Sequence, residues 1–259
     1  MLSNEVALSG EALSKRYMLR AGGAQQLKAA VRTLPAMLLK REAHHSFWAL
    51  QDISFTVRRG ESFGIAGPNG SGKSTLLRVL GAVTKPTSGT LTTNGRVSTL
   101  LDLGAGFHPQ ITGRENALLN AVLLGLSLRE AREVLPQIIE FSELGEFIDQ
   151  PMRMYSSGMY VRLGFAVAVH VQPEILVLDE VLAVGDAEFQ SKCFGHMQRL
   201  RESGVTVVFA SHDLPSLQRY TDRMMLLEHG RTVLEGRPAE VIHSYLTRVF
   251  GPTAKAGAR

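Results

Sequence analysis

The spacing of apolar and polar residues predicts strands towards both ends of the chain and helices between them. Three short apolar runs, at 62–66, 174–179 and 205–210, are typical of buried parallel strands. Half-buried strands are predicted at 6–17, with a break at Gly10, and at 50–57. Helices are predicted over 73–80, 114–124, 128–140, 157–170, 187–203, 214–220 and 238–250. This order predicts an α/β core interrupted by a mostly helical segment at about 102–172.

Turn residues and amphipathic stretches complete the predicted organisation. Asn94-Gly95 predicts a hairpin within 90–101, and His229-Gly230 predicts a closing hairpin between 224–227 and 232–234. Residues 18–48 form a predicted insertion with a basic, amphipathic helix at about 25–40, suited to a membrane surface, to a partner or simply to the core. The tail 251–259 is predicted to be disordered. We treat 1–259 as a single domain.

Composition narrows the class of protein only slightly. The 259 residues are 44% hydrophobic and 20% charged, with a net charge of +4, which permits contact with anionic surfaces. No apolar run approaches the ~18 residues that span a bilayer, and the first residues do not resemble a secretory signal. Dense Lys/Arg runs are absent, so we expect no nucleic-acid partner. The single cysteine, Cys193, excludes an internal disulfide.

The most specific motif is a phosphate-binding loop between a predicted strand and a predicted helix. Its residues are Gly67, Pro68, Asn69, Gly70, Ser71, Gly72, Lys73 and Ser74, with Thr75 following in the helix. The glycines let successive N–H groups face phosphate oxygens. Lys73 suits the β- and γ-phosphates, and the Ser74 hydroxyl suits Mg²⁺. A glycine-rich turn that happens to precede a lysine is the alternative, and the strand–loop–helix setting disfavours it.

Two further apolar strands end in polar residues that suit nucleotide hydrolysis. Asp179 follows the strand at 174–179, where a carboxylate can hold Mg²⁺, and Glu180 can accept a proton from an attacking water. His212 follows the strand at 205–210 and can contact the γ-phosphate or orient the water. Because ligands collect at the carboxyl ends of parallel strands, we expect Asp179 and His212 to share one sheet edge.

These motifs, in this order, resemble the ATP-binding subunit of ABC transporters, with similarity over about residues 5–248. The deciding segment is Tyr155-Ser156-Ser157-Gly158-Met159, where the family commonly has Leu-Ser-Gly-Gly-Gln. This variant of the family signature resembles the one found in the subgroup that exports polysaccharides. So do the segments at 103–109, at 112–116 (Thr-Gly-Arg-Glu-Asn) and at 183–186 (Ala-Val-Gly-Asp).

The resemblance implies a fold, two cofactors and a composite site. The fold is a P-loop NTPase core of ABC type with an antiparallel β subdomain and an inserted helical subdomain. Two copies would form a head-to-tail homodimer that binds ATP and Mg²⁺, with Ser156, Ser157 and Gly158 of one copy on the γ-phosphate held by the other. Most family members carry a Mg²⁺-sensing glutamine after the strand at 97–101, but no glutamine stands there in this chain, and Asp102 is the nearest substitute. Tyr17 is the expected platform for adenine, with Phe47 and Trp48 as alternatives.

The sequence therefore predicts the ATPase subunit of an exporter of lipid-linked polysaccharide, of O-antigen, capsule or teichoic acid type. We expect it at the cytoplasmic face of the inner membrane, paired with two transmembrane permease subunits. In some polysaccharide exporters a helix near the 18–48 insertion resembles a gate at that face. The alternatives are an ABC ATPase for another cargo such as a drug, lipid or lipoprotein, a soluble ABC protein, and a non-catalytic module. The sequence of the signature segment at 155–159 disfavours an ABC ATPase for another cargo. The presence of a single cassette disfavours a soluble ABC protein. A non-catalytic module is disfavoured because the candidate catalytic residues are intact, namely Lys73, Asp179, Glu180 and His212.

Overall fold

A computed structural model describes residues 5–19, 45–99, 106–179 and 186–251. The strands are β1 (Val6–Leu19), β2 (His45–Arg58), β3 (Ser62–Ala66), β4 (Ser88–Thr93), β5 (Val97–Thr99), β6 (Ile175–Leu178), β7 (Thr206–Ala210), β8 (Arg223–Glu228) and β9 (Arg231–Gly236). The helices are α1 (Lys73–Leu80), α2 (Gly113–Leu123), α3 (Leu128–Ser142), α4 (Ser157–His170), α5 (Ala187–Glu202), α6 (Leu214–Tyr220) and α7 (Pro238–Phe250).

The strands form two sheets that share one part of the core. A three-stranded antiparallel sheet has the order β2-β1-β4, and a six-stranded sheet has the order β5-β6-β7-β3-β8-β9. The second sheet is parallel except for β9, which pairs antiparallel with β8. Buried side chains of β1, β2, α1 and the central strands pack together between the sheets. The three-stranded sheet therefore lies against the strand–loop–helix unit that carries the phosphate loop.

Local sequence signals explain several element ends. Thr112 and Ser127 cap α2 and α3, and in each case a glutamate three residues later completes a capping box. The β8–β9 turn is His229-Gly230, with φ angles of 49° and 74°. Positive φ at both turn residues matches the twist of the flanking strands, so the closing hairpin predicted from the sequence is confirmed.

Helices α2 to α4 form the segment inserted between β5 and β6. They pack through Ala121, Ile138, Phe141 and Phe165 into a core that continues to β6, β7 and α5. The burial of this shared apolar surface ties the helical segment to the sheet that carries the polar strand ends.

The hairpin predicted at Asn94-Gly95 is wrong. The strand before these residues, β4, pairs with β1, whereas the strand after them, β5, pairs with β6 in the other sheet. Asn94 bonds back to β1, since its backbone N–H donates to Ala7 O and its side-chain amide to Val6 O. The turn therefore transfers the chain between sheets and does not join two paired strands.

The predicted insertion at 18–48 is shorter at both ends in the structure. Met18, Leu19 and residues 45–48 belong to β1 and β2 and pair with each other. The break predicted at Gly10 is also absent as a strand end, although the register shifts between Gly10 and Leu13. The amphipathic helix predicted at 25–40 and the tail beyond Gly251 lie outside the described residues.

Candidate active site

The phosphate loop connects β3 to α1 in the conformation that its glycines require. Gly67, Gly70 and Gly72 have φ angles of 149°, 78° and 109°. A side chain at Gly67 would place Cβ 2.2 Å from Leu227 O, and one at Gly72 would place it 2.6 Å from Ala49 O. Both glycines are therefore needed for close approach as well as for backbone freedom.

Lys73 begins α1 and is buried, with its ammonium group turned into the loop. Its Nζ donates to Gly67 O at 2.7 Å and to Pro68 O at 3.1 Å. Burial lowers the pKa of Lys73, while the nearby charge of Asp179 acts in the opposite direction. The Lys73 ammonium group therefore lies among loop carbonyls, near the Asp179 carboxylate, which we expect to hold the metal.

Two hydroxyls of the loop are available to a ligand. The Ser71 Oγ is buried and, within the described part of the chain, makes no hydrogen bond. An orphaned buried hydroxyl is unusual and points to a missing partner. Ser74 is exposed in the first turn of α1, where the helix dipole favours anions such as phosphate.

Asp179 and His212 stand at the same edge of the six-stranded sheet, as the sequence predicts. Strand β7 lies between β6 and β3, with Leu178 opposite Phe209 and Ala210 opposite Ile65. The residues after these strands therefore leave the sheet beside the phosphate loop. His212 is exposed at this edge, and Asp179 is half-buried.

The signature segment begins α4. The Ser156 side chain caps the helix by accepting from the backbone N–H of Met159 at 3.3 Å, while Ser157 and Gly158 form its first turn. Ser156 and Ser157 are exposed, so this helix end can present N–H groups and hydroxyls to an anion. The cap alone would also suit a plain helix start, and it does not by itself define a phosphate site.

Tyr155, the unusual first residue of the signature, is a structural anchor. Its Oη donates to Phe147 O at 2.8 Å, and burial raises its pKa to about 12. A Cβ at Gly113 would lie 1.9 Å from this Oη. Tyr155 therefore requires glycine at the start of α2, which links the signature spelling to the Thr-Gly-Arg-Glu-Asn motif.

Asn116 belongs to that same motif and holds a loop in place, a role that the amino-acid sequence alone does not predict. It is fully buried, and its side-chain oxygen accepts from His108 N at 2.7 Å. Its amide donates to His108 O, Ile111 O and Thr112 O at 2.9–3.2 Å. The side chain thus fixes the loop 106–112, which follows the segment containing Asp102 in sequence.

The candidate adenine platforms fall on two faces of the β1–β2 ribbon. Tyr17 and Phe47 are directly opposite in register, and their rings stack with centroids 5.7 Å apart. Trp48 instead pairs with Arg16, whose guanidinium lies 5.3 Å from the Trp48 ring. Adjacent strand residues point to opposite faces, so Trp48 cannot share a platform with Tyr17.

Glu180 and Asp102 lie outside the described residues and stay predictions.

The residues present fit a nucleotide with Mg²⁺. A glycine loop at a helix N-terminus offers N–H donors, Lys73 offers a positive charge, and the Ser71 hydroxyl lacks a partner. The Ser74 hydroxyl and the Asp179 carboxylate are the oxygen ligands that Mg²⁺ prefers. Fold and site together define a P-loop nucleotide-binding protein.

Comparison with known proteins specifies the family. Residues 50–183 match the family model described as ABC transporter. The chain therefore belongs to the ABC transporter family, and the family and fold predicted from the sequence are confirmed.

Individual relatives carry export names. The chain is 50% identical over 199 residues to the O-antigen export system ATP-binding protein RfbB of Klebsiella pneumoniae, which covers 77% of this chain and 81% of that protein. It is 40% identical over 245 residues to the teichoic acids export ATP-binding protein TagH of Lactococcus lactis, covering 95% and 52%. A solved dimeric ATP-binding cassette with ADP and Pi shares the fold, with a TM-score of 0.70 and 22% identity over 89% of this chain and 98% of that one.

Proposed function

We propose that this ABC ATPase drives the export of a lipid-linked polysaccharide across the cytoplasmic membrane. The observation that carries the proposal is the 50% identity to an O-antigen export ATP-binding protein over 77% of the chain. A second exporter of a surface glycan, the teichoic acid protein, matches over 95% of the chain. Which glycan is exported is a separate question, since the two relatives handle different polymers.

The site supports ATP as the energy source. Lys73 and the loop N–H groups bind the phosphates, and His212 contacts the γ-phosphate from the neighbouring strand end. Tyr17, with Phe47 stacked on it, offers the aromatic platform for adenine. Ser74, Asp179 and Asp102 are the residues proposed to hold Mg²⁺, which would neutralise phosphate charge.

Hydrolysis is assigned to Glu180 and to a second copy of the chain. Glu180 takes the proton of the attacking water, while Ser156, Ser157 and Gly158 of the other copy stabilise the developing negative charge. The N-terminus of α4 supports this arrangement, because Ser156 and Ser157 are exposed within one chain and are accessible to another. The proposed active unit is therefore a head-to-tail homodimer with two shared sites.

The proposed location is the cytoplasmic face of the inner membrane, in complex with two permease subunits. No helix among the described residues has the length and apolar character needed to cross a bilayer. Because polymer must still cross the membrane, the permease subunits supply the path, and the insertion at 18–48 is a candidate for contact with that face.

The test is the surface glycan of a source strain lacking this chain. We expect lipid-linked polysaccharide to accumulate inside the cell and to disappear from its surface. A plasmid with the wild-type chain should restore export, whereas one with Glu180→Gln, expressed to the same level, should not. A normal surface glycan in the deletion strain would contradict the proposal, and loss of lipoprotein or drug export instead would favour the other cargo class.

A further inference from the structure

The side chain of Lys15 joins the proposed base platform to the loop that follows α1. Its Nζ donates to Thr84 Oγ1 at 2.8 Å and to Lys85 O at 2.6 Å. The same ammonium group lies over the Tyr17 ring, 5.3 Å from its centroid. Lys15 and Tyr17 are two residues apart on β1 and therefore share one face of the ribbon. One cation thus contacts both the aromatic ring and the neighbouring loop.

The loop at 81–87 is held near both of its ends. Thr84 N donates to Arg78 O at 3.1 Å, in the last turn of α1. Three residues later, Thr87 Oγ1 accepts from Arg16 N of β1 at 3.0 Å. Because α1 begins at the phosphate loop, its far end and this connecting loop keep a fixed relation to the phosphate site. Lys15 therefore links the aromatic ring, through the loop, to the helix that carries the phosphate site.

Under the proposed function, on which the inference rests, one nucleotide contacts both sheets. Its base stacks on a ring of the three-stranded sheet, and its phosphates bind the loop after β3. Two contacts with one ligand strengthen each other only when their spacing matches the ligand. We propose that Lys15 is a positioning residue that sets this spacing. It acts through Tyr17, which it holds at a fixed distance from the phosphate loop.

Arg16 offers a matched control on the other face of the ribbon. Its guanidinium lies 5.3 Å from the centroid of the Trp48 ring, the same distance that separates Lys15 Nζ from the Tyr17 ring. The hydrogen bond of Arg16 to the loop uses its backbone N–H, which a substitution retains. Lys15→Met and Arg16→Met therefore each remove one cation beside one aromatic ring, but only Lys15→Met also removes side-chain hydrogen bonds to the loop.

The experiment measures the binding of ATP and of inorganic tripolyphosphate to the full-length chain at one Mg²⁺ concentration, together with ATP turnover. Tripolyphosphate has the phosphates but no base, so it cannot contact the platform. For Lys15→Met we expect Kd and KM for ATP to rise about five- to tenfold. Both kcat and the affinity for tripolyphosphate should stay within about twofold of wild type. Arg16→Met should match wild type in every one of these measurements.

A double-mutant cycle tests whether Lys15 acts through Tyr17. Tyr17→Ala should also weaken ATP binding and leave tripolyphosphate binding unchanged. Adding Lys15→Met to Tyr17→Ala should weaken ATP binding by less than about twofold more, because no ring is left to position. Lys15→Arg keeps a cation beside the ring and donors for the loop, so its ATP affinity should lie closer to wild type than that of Lys15→Met.

Equal losses of ATP and tripolyphosphate affinity in Lys15→Met would overturn the inference, since they would indicate a damaged phosphate site or fold. Wild-type ATP affinity in either Lys15→Met or Tyr17→Ala would overturn it too. A wild-type chain that hydrolyses ATP but binds it no more tightly than tripolyphosphate would also overturn it, while leaving the proposed function intact. A wild-type chain that binds neither ligand would instead contradict the proposed function itself.

Discussion

Asn116 is a buried polar residue whose side chain holds the loop before α2 through hydrogen bonds. Replacing Asn116 tests how much these bonds contribute to stability. Asn116→Ala removes the acceptor for His108 N and the donor for His108 O, Ile111 O and Thr112 O. The side chain is 0% exposed, so water cannot replace these partners without opening the structure. The loop should loosen and the folded state should lose stability.

The size of the effect follows from the hydrogen-bond count. The amide has one oxygen and two N–H groups in use, each worth about 0.5–1.5 kcal/mol net, with more lost where a buried partner stays unpaired. We therefore expect a loss of about 2–4 kcal/mol in the free energy of unfolding. For a chain of this size that lowers Tm by roughly 5–15 °C.

The assay is scanning calorimetry of the wild type, Asn116→Ala and the control Asn94→Ala. Asn94 donates a single exposed side-chain hydrogen bond, to Val6 O at 2.9 Å, so its loss should cost about 1 kcal/mol or less. If Asn116→Ala lowers Tm no more than Asn94→Ala does, the side chain does not fix the loop as described.

Three further changes test the site and its surroundings. Lys73→Ala should weaken ATP binding about 10- to 100-fold in calorimetry, since charge-assisted bonds to phosphate are worth about 1.5–3 kcal/mol; wild-type affinity would remove Lys73 from the site. Glu180→Gln should keep ATP binding and nearly abolish turnover, and turnover close to wild type would exclude Glu180 as the base. Burial, and next the charge of His170, lower the pKa of His196 to about 4 from 6.5. The unfolded chain therefore takes up a proton that the folded chain refuses, so stability should fall as pH drops from about 6.5 to 4. Denaturant unfolding of His196→Gln should show a shallower decline, and an equal decline would assign it to other groups.

The parts of the fold that follow local rules were predictable from the sequence. Helix α4 and the phosphate-loop helix α1 have the predicted bounds, because apolar periodicity and capping act within a few residues. The β8–β9 hairpin followed from His229-Gly230 for the same reason. The placement of Asp179 and His212 at one edge followed from the general geometry of parallel sheets.

The parts that depend on distant pairing were not predictable. Asn94-Gly95 indicates a turn, but it does not say whether the flanking strands pair with each other. Here β4 pairs with β1, and the three-residue β5 pairs with β6. In both pairs the partner residues are more than 70 positions apart in sequence. The role of Asn116 depends likewise on backbone groups that only the fold brings near.

The central claim is that the phosphate loop of one chain works with the signature of another, and mixing two inactive chains tests it most directly. Lys73→Ala disables the loop, and Gly158→Asp sets a negative charge at the signature. The structure has room for a side chain at Gly158, since its Cβ would lie 3.8 Å from Ser156 Oγ. Each variant alone should hydrolyse almost no ATP. An equal mixture should recover up to about a quarter of wild-type activity, because half of the dimers would be mixed and each would have one intact site. A mixture no more active than either variant alone would contradict a site shared between two chains.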